Sequence, residues 1–150
     1  MGPAHANRRF AADGPFSRAL AMSLDDSLTR FETLAIVGIG GFAGANLRFL
    51  AIDVGSPLAG ILVANVLGSL LLGFLVYEAR YTGVVDRKSR LLFTTGFLSS
   101  LTTYSGFAYW TAAAGEPVIG VGYVAANYGL GIAAVLVGRA LADLVRGGGT

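Results

Sequence analysis

"GFLSSLTTYSGF", residues 96–107, carries six hydroxyl side chains among its twelve: Ser99, Ser100, Thr102, Thr103, Tyr104 and Ser105. In isolation it reads as a polar surface loop. Its surroundings argue otherwise, because residues 91–115 hold no charged side chain. A run of that length is enough for a helix to cross the hydrocarbon of a bilayer. A few Ser and Thr are tolerated in lipid because they bond back to carbonyls of their own helix. Six hydroxyls in the seven positions 99–105 exceed what that device needs. Such crowding weakens the helix, and irregular backbone at membrane depth survives only where protein or water surrounds it. The stretch therefore predicts a broken membrane helix that lines a conduction path or an ion site.

The rest of the chain supports a membrane setting. It has 150 residues, which bounds it to one domain. It is 54% hydrophobic and 13% charged, where a soluble domain carries about 25% charged residues. Four apolar segments stand out, at 33–52, 58–77, 91–114 and 118–142. Each is long enough to span, and none shows the polar face of a soluble amphipathic helix. The expected fold is an all-α membrane protein with four transmembrane helices, the third of them broken. Residues 33–142 form the membrane domain and 143–150 a short C-terminal tail. Residues 1–32 are Gly/Pro/Ala-rich with scattered Arg and read as a disordered tail, or as a surface helix over 16–28. The short joints "DVGSPL" and "GEP" and the longer "EARYTGVVDRKSR" make consecutive helices antiparallel neighbours.

Small residues recur in these segments: Gly40, Gly41, Gly44 and Ala45 in the first, Gly60, Ala64 and Gly68 in the second, Gly120, Gly122, Gly129 and Gly131 in the fourth. Small residues four apart let membrane helices approach closely. Packing within one bundle and a tight dimer with narrow pores both account for them.

The polar side chains narrow the chemistry. Arg48 is the one charged residue well inside a segment. It either snorkels to the headgroups or faces a watery vestibule that attracts anions. Asn65 lies mid-segment and needs a partner, either another helix or a permeating species. Tyr123 and Asn127 share one helical face, and Tyr128 is assigned to another. Thr103 and Phe107 share a face on the third segment, with Tyr104 offset by one residue. No carboxylate falls inside the four segments, so a cation pathway or a small proton-coupled exporter lacks its usual group. The absence of Cys and the placing of the single His, His5, in the tail leave no thiolate metal site. Without paired carboxylates nothing points to an enzyme. A net charge of +2 is too small to indicate nucleic acid. Hydroxyls, an amide and ring edges suit a small anion.

Three stretches resemble the CrcB/Fluc fluoride-channel family. "GGFAGANLRF" (40–49) is similar to its first-helix motif, and "GILVANVLGSLLLG" (60–73) to its second-helix motif around a central Asn. "GFLSSLTTYSGF" resembles its third, Gly-Phe-x-Gly-Gly-x-Thr-Thr-Phe-Ser-Thr-Phe. The resemblance spans roughly residues 33–142 with the motifs in register. It implies a passive fluoride channel subunit in the cell membrane that exports fluoride from the cytoplasm, working as an antiparallel dimer with two pores. By motif position, Asn65, Tyr104, Phe107, Thr103, Tyr123 and Asn127 fall on pore positions and Arg48 on the vestibule. Ser99 and Thr102 fall on positions whose carbonyls hold a structural Na⁺ at the dimer centre. The chain departs from the motif at Tyr104 (Phe), Ser99 and Ser100 (Gly pair), Gly106 (Thr) and Asn127 (Ser). A non-conducting partner subunit of a heterodimer is the alternative that these departures favour.

The loops also predict orientation. With both termini cytoplasmic, ten of the eleven basic residues lie inside and only Arg48 lies toward the outside. Positive charge near helix ends sets topology. So strong a bias argues for one inserted direction, and hence for a sibling chain as the inverted partner, with a homodimer as the rival.

Overall fold

The computed structural model describes residues 15–147. The chain divides into two compact units, Met1–Ala35 and Ile36–Thr150. Helix α1 (Pro15–Val54) begins in the first unit and ends in the second.

In the first unit the described residues are helical from Pro15 onward. The part of 1–32 that is described thus forms the start of α1, while residues 1–14 lie outside the described residues. The reason is local: residues 16–37 contain neither Gly nor Pro and are rich in Ala, Leu, Arg and Met, all good helix formers. Ser27, Thr29 and Thr33 each bond back to the carbonyl four residues earlier. Arg30 and Asp26 add an exposed i,i+4 pair at 3.6 Å.

The second unit holds the remainder of α1 and five further α-helices among the described residues: α2 (Pro57–Tyr81), α3 (Arg87–Leu91), α4 (Ser99–Leu101), α5 (Tyr104–Ala112) and α6 (Pro117–Gly147). A π-helical turn, Leu92–Leu98, joins α3 to α4. No strand occurs among the described residues. Among the described residues three helices are long and apolar enough to cross a membrane: Ala21–Val54 within α1, then α2 and α6.

Helix α2 starts cleanly because Ser56 caps it, its Oγ accepting from the Ala59 N–H, with Pro57 at the first turn. It runs to Tyr81, one turn beyond the predicted segment, and so carries Glu78. Glu78 lies just past the predicted 58–77 segment, yet on the same helix, and is 1% exposed. Its carboxylate accepts from the Val85 N–H at 3.0 Å, from Thr82 Oγ1 at 3.2 Å and from Arg90 Nη2 at 3.3 Å. Arg90 also donates to the Val85 carbonyl at 2.9 Å, so the 82–86 loop is wrapped around one ion pair. Asp86 caps α3, accepting from the Lys88 and Ser89 N–H groups and from Ser89 Oγ. The Ser89 hydroxyl and N–H hold the Asp86 carboxyl below its ordinary value.

Helices α2 and α6 make the main helix–helix contact. Gly73 lies against the Val135 backbone, with room for a Cβ only 2.7 Å from that carbonyl. Gly138 presses on the Leu70 carbonyl and the Phe74 N–H. Asn65 meets Asn127, Gly73 meets Val135 and Tyr81 meets Arg146, so contacts advance together along both helices and the two run parallel. Gly40, Gly44 and Gly96 similarly bring α1 and the third segment into backbone contact. A Cβ at Gly122 or Gly129 would meet nothing within 4 Å among the described residues.

Candidate functional site

The third segment is broken at Thr102 and Thr103. Both have extended backbones, with φ/ψ of −76/154° and −151/121°. The sequence has no Pro or Gly at the break, so side chains must make it. Thr102 Oγ1 bonds back to the Leu98 carbonyl at 2.9 Å and closes α4. Thr103 Oγ1 accepts from the Gly106 N–H at 3.1 Å and opens α5 as its N-cap. The Thr103 N–H, which a continuous helix would direct to the Ser99 carbonyl, goes instead to Asn65 Oδ1 at 2.9 Å.

Asn65 thus reaches from α2 to the break. Its Nδ2 donates to Asn127 Oδ1 of α6 at 3.2 Å and to the Thr103 carbonyl at 3.4 Å. Asn127 Nδ2 donates in turn to the Tyr123 carbonyl at 3.0 Å. Phe107, one turn into α5, is buried and stacks on Tyr123 with ring centres 5.8 Å apart. Tyr104 lies 5.9 Å from the same ring. The Tyr123 hydroxyl is buried and meets no hydrogen-bond partner at bonding distance among the described residues.

A cavity of about 550 Å³ opens here. Asn65, Ser99, Thr102, Thr103, Tyr104, Phe107 and Asn127 all line it. No acid, His, Lys or Arg contributes to its wall. Tyr123 sits behind Phe107 and is absent from the wall. Arg48 is likewise absent: it is half-buried and its Nη1 donates to the Thr102 carbonyl at 3.4 Å, on the α1 side of the break. Of nine site residues named from sequence, seven share one cavity and two flank it.

This arrangement can bind a small anion. The α5 N-terminus, the positive end of its dipole, begins at Tyr104 on the cavity wall. Hydroxyls, amides and ring edges supply the remaining positive poles.

The family model described as CrcB-like protein, Camphor Resistance, matches residues 35–139. The chain belongs to this CrcB-like family. It is 46% identical over 122 residues to the fluoride-specific ion channel FluC 1 of Haloarcula marismortui, covering 81% of this chain and 94% of that protein. It is 48% identical over 118 residues to FluC 2 of Halobacterium salinarum, covering 77% and 91%. A FluC of Clostridium perfringens is 35% identical over 119 residues, covering 73% and 93%. Membership of this family, with three helices apolar enough to span, makes the chain a multi-pass membrane protein.

Three further wall residues of this CrcB-like chain carry hydroxyls and were not named as site residues from sequence: Tyr128, Ser69 and Thr94. Tyr128, assigned there to a different face, lines the cavity and meets Phe107 edge-on at 6.0 Å. The correction follows from width: Asn127, Tyr128, Gly131, Ile132 and Val135 all face the cavity, a stripe of helix surface rather than a single i,i+4 line. The signal for Ser69 was present, since it lies four residues after Asn65 and so on the same face.

Proposed function

We propose that the chain is a subunit of a passive, fluoride-selective channel that lets fluoride leave the cytoplasm, and that it is not an enzyme. The observation that carries this reading is the uncharged cavity of about 550 Å³ at the break of the third segment, walled by hydroxyl, amide and aromatic groups. Fluoride is small and strongly hydrated, so a path for it must replace its water with strong donors. The α5 N-terminus, the Thr103 and Tyr104 hydroxyls, the Asn65 amide and the Phe107 ring edge are such donors. Passive transport fits a wall without any acid or His to carry a coupled proton. The names of the relatives point the same way.

The assembly belongs to the proposal. The third segment, 87–112, is taken as a fourth crossing. Support comes from the parallel course of α2 and α6: a chain that leaves α2 at one membrane face must return to the other before α6 begins. The subunit pairs with an inverted copy of itself or with a sibling chain as an antiparallel dimer. Its own termini are cytoplasmic, because ten of eleven basic residues then lie inside. Arg48 draws anions toward the entrance.

A Na⁺ at the dimer centre would be held by the Ser99 and Thr102 carbonyls, supplying fixed positive charge beside the path. The backbone fits this in two respects. Ser99 has ordinary helical φ/ψ of −65/−26°, so a Cβ there introduces no strain. Its carbonyl has also lost the Thr103 N–H that a continuous helix would give it. The Thr102 carbonyl already accepts from Arg48 at 3.4 Å but retains a second lone pair.

Liposomes carrying this chain alone test the function by electrode-recorded efflux. Fluoride efflux with negligible chloride efflux is expected. Comparable fluxes of both ions would overturn selectivity, and fluoride efflux appearing only with a sibling chain would identify a non-conducting partner. Terminal tags probed in intact cells test orientation; a C-terminus found equally on both sides removes the case for a sibling.

A further inference from the structure

Asn65 and Asn127 form a chain of amides whose direction is set by backbone groups at both ends. The Thr103 N–H can only donate, so the Asn65 atom facing it is Oδ1, at 2.9 Å. Asn65 Nδ2 then faces Asn127 and needs an acceptor there, which makes the near atom Oδ1, at 3.2 Å. Asn127 Nδ2 is left for the Tyr123 carbonyl at 3.0 Å. The second hydrogen of Asn65 Nδ2 goes to the Thr103 carbonyl at 3.4 Å. A side-chain amide has two N–H donors. Both donors of Asn65 are therefore occupied, although Asn65 lines the cavity.

An anion that uses Asn65 must displace one of these acceptors. The Thr103 carbonyl belongs to a peptide backbone fixed by its own hydrogen bonds at the break. Asn127 Oδ1 ends a side chain with rotamer freedom. We propose that Asn127 is a latch on the Asn65 donor, displaced by fluoride and not by chloride. This rests on the fluoride-channel reading above and deepens it. The latch selects by competition. Fluoride is the strongest hydrogen-bond acceptor among the halides and can replace an amide carbonyl. Chloride is larger and a much weaker acceptor, so it leaves the amide pair closed. Asn127 thereby acts as a specificity-determining residue through what it withholds.

The test reconstitutes full-length wild-type chain, Asn127→Ala and Asn127→Ser in liposomes and records fluoride and chloride efflux. Opening the latch in Asn127→Ala should raise fluoride efflux about fivefold, the factor one net amide hydrogen bond represents. It should also admit measurable chloride. The serine hydroxyl is shorter and should give an intermediate result. Fluoride efflux at or below wild type with unchanged discrimination overturns the latch and leaves the channel reading standing. No fluoride efflux from wild type, either alone or with a sibling chain, removes the channel reading, and the latch with it. A second measurement does not depend on the variants folding. The side-chain amide resonance of Asn65 in wild-type protein should shift saturably with sodium fluoride and stay put with sodium chloride. Equal responses to both salts, or none to fluoride, overturn the proposal.

Discussion

Arg90→Ala should destabilise the protein by about 3 kcal/mol, because it strands a buried carboxylate. Glu78 is almost completely buried, and its ion pair with Arg90 spans 3.3 Å. Unit charges at that separation attract by roughly 5 kcal/mol at an effective dielectric of about 20. Desolvation offsets much of this, so the pair as a whole contributes little net stability. Removing one partner is different, since the remaining charge keeps its burial and loses its counter-ion, at about 3–5 kcal/mol. The Arg90 side chain is 32% exposed, so water screens part of the attraction and the lower end of that range applies. Glu78→Gln keeps an acceptor for the Val85 N–H and leaves only Arg90, which is partly exposed and still bonded to the Val85 carbonyl, without its counter-ion, so about 1 kcal/mol is expected. The double variant should recover most of the Arg90→Ala loss, because no uncompensated charge remains. Reversible unfolding of the purified chain in mixed micelles measures all three. Arg90→Ala within 1 kcal/mol of wild type, or a double variant as unstable as Arg90→Ala, would refute the reasoning.

Asn65→Ala removes the acceptor for the Thr103 N–H and should lower fluoride flux at least tenfold while the chain still assembles; wild-type flux would return Asn65 to a purely structural tie. Phe107→Ile keeps apolar bulk but loses the ring edge and its stacking on Tyr123, and efflux recordings should show a several-fold reduction. Gly138→Leu forces α6 off the Leu70 carbonyl, and the variant should fail to give a monodisperse peak in gel filtration. Asp86, whose carboxyl titrates below its ordinary value in the folded protein, contributes stability at neutral pH that disappears as pH falls through that lowered value. Asp86→Asn should therefore flatten the acid side of a stability–pH profile. If a Na⁺ bridges the Ser99 and Thr102 carbonyls, exchanging Na⁺ for a bulky organic cation should lower dimer stability; an unchanged dimer would count against the ion.

The break of the third segment was legible because its cause is chemical and local: hydroxyls crowd where helix carbonyls need partners. The pairing of Asn65 with the fourth apolar segment was open in the sequence as a tie between helices, and the structure supplies its partners, Asn127 and Thr103. What escaped was decided by length and breadth. The burial of Glu78 was missed because α2 runs a turn past the predicted 58–77 segment and the following loop folds back over its carboxylate. Tyr128 was missed because a narrow i,i+4 line was used where the cavity covers a broad stripe of α6. The π-helical turn at Leu92–Leu98 had no signal in composition: its residues, "LFTTGFL", would suit an ordinary helix.

The parallel pairing of α2 with α6 has a consequence for the order of biogenesis. Its rungs join residues about sixty positions apart, a long separation for a chain this short, and loop closure of that kind is slow. A ribosome releases α2 well before α6 exists. Until α6 has been made, the amide of Asn65 and the backbone groove at Gly73 have no helix to meet. The nascent chain therefore holds a polar face of α2 uncovered in the translocon or the lipid, and it is α6, two joints later in the chain, that closes it.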